Sequence, residues 1–193
     1  MKSFILLFST IFLMVSCKAQ TVVDISTFNQ GNNSGKYFKD LNNSFQNFLG
    51  TWEGSMSANR TFRINLFKIT KEKSSGVGGY YYKDRIGGSF QIIDNAHTPN
   101  EIIIHNSVKY YPQNNLTTNN VMYFSSSNGI VGGGFMYDNG SNDGNDTFTV
   151  RVVFEILNLG NSPLQMHWGA KRNMMFENWH LSIPQDIILT KQP

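Results

Sequence analysis

Alternation with a period of two runs through most of the chain beyond residue 50. It is sharpest at 147–157, where Phe148, Val150, Val152, Phe154 and Ile156 share one parity and Thr149, Arg151 and Glu155 the other. Side chains two apart on a strand point the same way, so this pattern predicts a strand with one buried face. The same period marks 50–56 (Trp52 and Met56 with Gly50 and Gly54), 61–70 (Phe62, Ile64, Leu66), 77–84, 88–93, 101–111, 121–125, 130–137, 164–168 and 187–191. A slip at 67–69 predicts a bulge. Stretches rich in Gly, Asn, Asp, Ser and Pro separate the strands, as turns require. Tyr37, Leu41, Phe45 and Phe48 recur at spacings of four, four and three, which predicts a short helix before the first strand. Asp40 and Asn42 to Ser44 interrupt it, so it is split or partly 3₁₀. Met174, Met175, Phe176, Trp179 and Leu181 give either an irregular segment or a short helix over an open end.

About ten strands with short sequential links and no alternating helices make the chain all-β, antiparallel and up-and-down. A barrel of eight to ten strands and a sandwich both suit that count. The glycine-rich strands favour the barrel, above all Gly132-Gly133-Gly134, because glycine permits sharp bending and close backbone approach.

The first residues read differently. Lys2 precedes an apolar run from Phe4 to Val15, then Ser16 and Cys17. That is the layout of a secretory signal and is too short to cross a bilayer. Met14-Val15-Ser16-Cys17 resembles a bacterial lipobox, which implies cleavage after residue 16 and lipid on Cys17; ordinary cleavage after Ala19 is the rival reading. Cys17 is the sole cysteine, so an exported product has no internal disulfide. The expected organisation is a signal peptide at 1–16, a lipidated terminus and flexible tether at 17–36 and a barrel domain at 37–193. Within the tether, Val22 to Ile25 has the option of pairing as an edge strand.

Composition narrows the function classes. Charged residues are 15% of the chain and aromatics 13%, which suits strands with polar turns better than long helices. The net charge is +3, and removing residues 1–16 takes away Lys2. So small a surplus gives no reason to expect a nucleic-acid partner. His97, His105, His167 and His180 are not at metal-ligand spacings, and no nucleophile elbow is present. Asp138 to Asp146 has the composition of a calcium loop but not its ligand alternation. No metal, cofactor or enzymatic activity is expected.

The G-x-W of Gly50 to Trp52, after a short helix, resembles the start of lipocalin-like (calycin) barrels. The resemblance implies that Trp52 plugs the closed end under a basic side chain from the last strand, here Lys191, with Gly50 part of the same closure. Phe48 to Trp52, the closing Ile188 to Gln192 and the leader around Cys17 also resemble a family of small Bacteroidota lipoproteins with no assigned activity. The expectation is an envelope lipoprotein, monomeric and held on the outer membrane by its lipid, on the periplasmic or the surface side. A lumen lined by Tyr80, Tyr82, Phe135, Tyr137, Met166 and Trp168 would take a small apolar or amphiphilic ligand; each of these residues equally fits a packed core. The alternative is an assembly or protein-binding module with a filled barrel.

Overall fold

The computed structural model describes residues 20–29, 31–111, 116–118, 122–138, 148–171 and 183–193. Its strands are β1 (Thr21–Asp24), β2 (Lys36–Lys39), β3 (Gly50–Ser57), β4 (Arg60–Gly76), β5 (Gly79–Asp94), β6 (Ile102–Asn106), β7 (Lys109–Tyr111), β8 (Leu116–Thr118), β9 (Met122–Ser126), β10 (Val131–Asp138), β11 (Phe148–Ile156), β12 (Gln165–Lys171) and β13 (Asp186–Lys191). Eight close into a ring. β3, β4, β5, β9, β10, β11, β12 and β13 pair antiparallel in that order, and β13 returns to β3 through Thr190 opposite Glu53 and Lys191 opposite Trp52. The molecule is therefore an up-and-down antiparallel barrel of eight strands. β7 and β8 form a separate two-stranded sheet.

Strand parity decides what fills the ring. Trp52, Phe62, Ile64, Phe90, Phe124, Phe154, Trp168 and Met122, Met136 and Met166 are all 0–1% exposed. Their rings interlock, with centroids 5.5 Å apart for Phe62 and Trp168, 4.8 Å for Phe124 and Phe154, and 4.9 Å for Phe48 and Phe154. Such pairs add about 0.5–1.5 kcal/mol each beyond area burial. The glycine run on β10 makes this packing possible. A Cβ on Gly132 would overlap the Phe154 ring, and one on Gly134 would overlap the Tyr123 carbonyl oxygen.

Three expectations are corrected. The helix expected over 37–48 does not form. Residues 36–39 are drawn into parallel pairing with β1 and β5, and 41–48 form successive turns in which Phe48 N–H donates to Phe45 O. Asp40 stops a helix by accepting from the Ser44 N–H at 2.7 Å, a local competition typical of Asp. Phe45 and Phe48 are nevertheless fully buried, while Leu41 is exposed. Second, 77–84 and 88–93 are one strand, β5. A Cβ at Gly88 would lie 2.7 Å from Leu66 Cδ2, so the glycine there serves close approach rather than a break. Third, the segment read as a tether is folded from residue 20 onward. β1 lies on β2, the 3₁₀ turn Ile25–Thr27 follows, and Ile25 is buried. In addition, the single strand expected at 101–111 divides into β6 and β7, with Ser107 between them exchanging hydrogen bonds with the Phe90 backbone.

A buried polar clasp fastens this N-terminal segment to the barrel. Asp84 accepts from Tyr37 Oη at 2.6 Å, from Asp40 N–H at 3.1 Å and from Lys71 N–H at 3.0 Å. Lys68 Nζ lies 3.2 Å from Asp40 and 3.4 Å from Asp84. Burial favours protonation of Asp84, but these hydrogen bonds and the Lys68 charge outweigh it and hold the carboxyl below its ordinary 3.8. Burial, then the Asp84 hydrogen bond and charge, push the Tyr37 phenol up to about 12.

Candidate functional site

The six residues expected to line a ligand lumen separate. Met166 and Trp168 point inward and are fully buried within packed side chains, and the Trp168 indole N–H donates to Pro184 O at 3.2 Å. Phe135 has the opposite parity to Met136 and is 55% exposed on the outer wall. Tyr80 and Tyr82 share parity with inward Ile86, yet they do not reach the lumen. β4 and β5 run past the end of the ring, and at Tyr82 the neighbour of β5 is β2 instead of β9. Tyr80 is consequently 61% exposed. Tyr137 belongs to β10, with its side chain outside the described residues, as is Cys17.

Near the start of β3, Trp52 is fully buried and its indole N–H donates to Phe48 O at 2.7 Å. Lys191 Nζ sits 5.6 Å from the Trp52 ring and 3.4 Å from Asn47 O. Burial holds its ammonium below the ordinary lysine value. Gly50 adopts φ 115°, a conformation that favours glycine, and a Cβ there would come within 3.2 Å of Lys191 Cε and crowd the lysine chain.

A different concavity lies on the outside of the barrel. β5 changes partner between β9 and β2, and this leaves a notch roofed on one side by Ile25–Phe28. The groove is about 450 Å³. Its apolar wall is Ile25, Phe28, Val131 and Val153; its polar wall is Ser125 to Ser127 with Lys83 and Arg151. Among the described residues no carboxylate lines it. Lys83 Nζ rests 4.0 Å from the Phe28 ring, and no ion pair among the described residues involves Lys83. Burial, then the nearby Arg85 charge, push its ammonium down to about 8. Glu72 stands opposite Lys83 in the β4–β5 register, but its carboxylate pairs with Arg85 at 2.6 Å and does not line the groove. A desolvated lysine that shares the groove with Arg151 is an arrangement suited to an anion. Sequence reasoning missed this site. Lys83 and Arg151 are 68 positions apart in the chain, each on an ordinary outward strand position, and no local signal joins them.

A second cluster on the outer wall joins Glu53, Arg63, His97 and Glu101. Glu53 accepts from Arg63 Nε and lies 2.6 Å from His97 Nε2, and the His97 N–H donates to Glu101 at 2.9 Å. It ties the β5–β6 loop to β3 and β4. Among the described residues no group of three or more His, Cys, Asp or Glu side chains is placed to hold a metal ion.

The class of protein so defined is a small eight-stranded antiparallel β-barrel, consistent with a lipocalin-like barrel, with an aromatic interior and an outer basic groove. The particular family follows from the whole sequence: the chain belongs to a family of unknown function (DUF6705), whose model matches residues 1–192. No curated protein and no solved structure matches it.

Proposed function

We propose that this protein is an exported, lipid-anchored binding module that holds an amphiphile with an anionic end in the groove outside its barrel. The barrel is a rigid scaffold and performs no catalysis. The observation that carries the reading is the groove lining, two cations and, among the described residues, no carboxylate beside an apolar wall. It moves the ligand site from the lumen to the wall, because the described interior is filled by side chains. Lys83 and Arg151 would pair with the carboxylate or phosphate of the ligand, and Phe28, Ile25 and Val153 would cover its tail. The anchor is supported by Met14 to Cys17 after the apolar run, and by a folded region that begins only a few residues later. The envelope address rests on the same leader, and the kinship with Bacteroidota lipoproteins on that leader together with Phe48 to Trp52 and Ile188 to Gln192.

Titration calorimetry with dodecyl phosphate, against dodecanol as the neutral control, tests the ligand class. Dodecyl phosphate should bind and dodecanol should not. Lys83→Gln should weaken binding by roughly 10- to 100-fold, the range of one lost charge-assisted hydrogen bond. Undiminished binding by Lys83→Gln and by Arg151→Gln would remove the groove from consideration.

One observation favours a second reading, an assembly module. Ile102, Ile103 and Ile104 on β6 are 58, 48 and 46% exposed, and among the described residues β6 pairs only with β5. An aliphatic strand paired on one side among the described residues is suited to receiving a strand from another protein.

A further inference from the structure

The same anchor has a geometric consequence. The β4–β5 hairpin overshoots the barrel and carries β2 and then β1 on its edge. Residues in register share a face, so Val22, Tyr37, Tyr82 and Lys73 form one row across the four strands. Tyr80 stands next to that row toward the hairpin tip, and Val77 is at the tip. Val22, Val77 and Tyr80 are 50, 72 and 61% exposed. Lys71 Nζ lies 5.8 Å from the Tyr37 ring and 5.5 Å from that of Tyr82, and Lys73 Nζ lies 4.0 Å from Tyr80. No ion pair among the described residues takes up Lys71 or Lys73. Farther from the tip, Lys39 and Asp24 occupy the same side and offset each other in charge.

We infer that this tyrosine–lysine face and the hairpin tip rest on an anionic lipid surface. The inference rests on the lipid-anchoring part of the proposed function. Five residue-to-residue steps lead from Cys17 to Val22, a reach of at most about 18 Å when fully extended. A lipid on Cys17 therefore holds β1, and the hairpin beside it, against the headgroups. Interfacial tyrosines with flanking lysines suit that layer, the rings entering the headgroup region and the ammonium groups meeting anionic lipid. The far end of the barrel, at the β3–β4 turn, lies seventeen residues of β4 away, roughly 50 Å at strand rise. The docked molecule stands on the hairpin, and the groove at Ile25–Phe28 opens near the membrane.

The test uses the acylated protein in vesicles of phosphatidylcholine and phosphatidylglycerol. Intact mass first reports whether Cys17 carries acyl chains. With that thiol occupied, a nitroxide on Val77→Cys or on Asn59→Cys is the sole label, since the chain has one cysteine. The expected result is a label at 77 shielded from a water-soluble nickel relaxant and open to oxygen, with the label at 59 behaving as in water. Lys71→Gln with Lys73→Gln should shift the docked equilibrium by about 30-fold, the contribution of two lysines at an anionic surface, and return the label at 77 toward the aqueous value. Equal nickel access at 77 and 59 on protein of acylated mass overturns the docking while the anchor stands. A mass without acyl groups overturns the anchor, and the docking with it. Shielding at 77 that persists in detergent and grows with protein concentration assigns the face to a second copy and likewise overturns the proposal.

Discussion

Replacing Lys83 by methionine should raise stability and abolish anion binding at the same time. The ammonium is pushed from its ordinary 10.5 down to about 8, a gross penalty of about 3 kcal/mol at about 1.4 kcal/mol per decade of proton affinity. Part of the side chain still meets solvent, and screening reduces that figure to about 1–2 kcal/mol. The Phe28 ring 4.0 Å away returns about 0.5–1 kcal/mol to the charged form. The net expectation for Lys83→Met near pH 7 is a gain of about 1 kcal/mol, or about 2–4 °C in Tm for a domain of this size. The pH dependence has a definite sign. Between about 8 and the unfolded lysine value the unfolded chain binds more protons than the native one, so wild-type stability rises with pH. The advantage of Lys83→Met should thus be full below about 8 and should shrink as pH rises toward 10.5. Thermal denaturation at pH 7 and pH 10, paired with dodecyl phosphate titration at pH 7, reads both effects. A variant that loses more than about 1 kcal/mol at pH 7 would show that Lys83 has a structural partner, and the groove would cease to be a site built for a ligand.

The remaining expectations concern the frame. Trp52→Ala should cost roughly 3–5 kcal/mol in urea unfolding, as for a large buried aromatic; a loss below about 1 kcal/mol would mean that the ring closes nothing. Asp84→Asn should cost about 2–3 kcal/mol at pH 7 by weakening three hydrogen bonds to a charged acceptor. Because the Asp84 carboxyl is held below 3.8, its contribution is present above that value and is lost as pH falls through the lower native one. Unfolding curves from pH 5 to pH 2 should therefore fall more steeply for wild type than for Asp84→Asn. Gly134→Ala places a methyl into the Tyr123 carbonyl and should cost about 1–3 kcal/mol or more, whereas Gly160→Ala, with open space around it, should show only the smaller cost of its φ of 89°.

Local pattern determined the strands, their parity and hence the contents of the core, because period two is a property of neighbouring residues. Val150 to Ile156 is buried on its even positions as its alternation requires. Pairing was not local. That β5 divides one edge among β2, β9 and β6 decided that Tyr80 and Tyr82, inward by parity, stand outside the ring. The Tyr37 to Phe48 spacing read as a helix because apolar periodicity takes no account of a buried Asp40 capping its own turn or of a strand edge recruiting Lys36–Lys39. The groove was illegible for the same physical reason. Lys83 and Arg151 line one groove only because β9 and β10 bridge β5 to β11, and a desolvated cation is defined by what surrounds it in space, which neighbours in sequence do not specify.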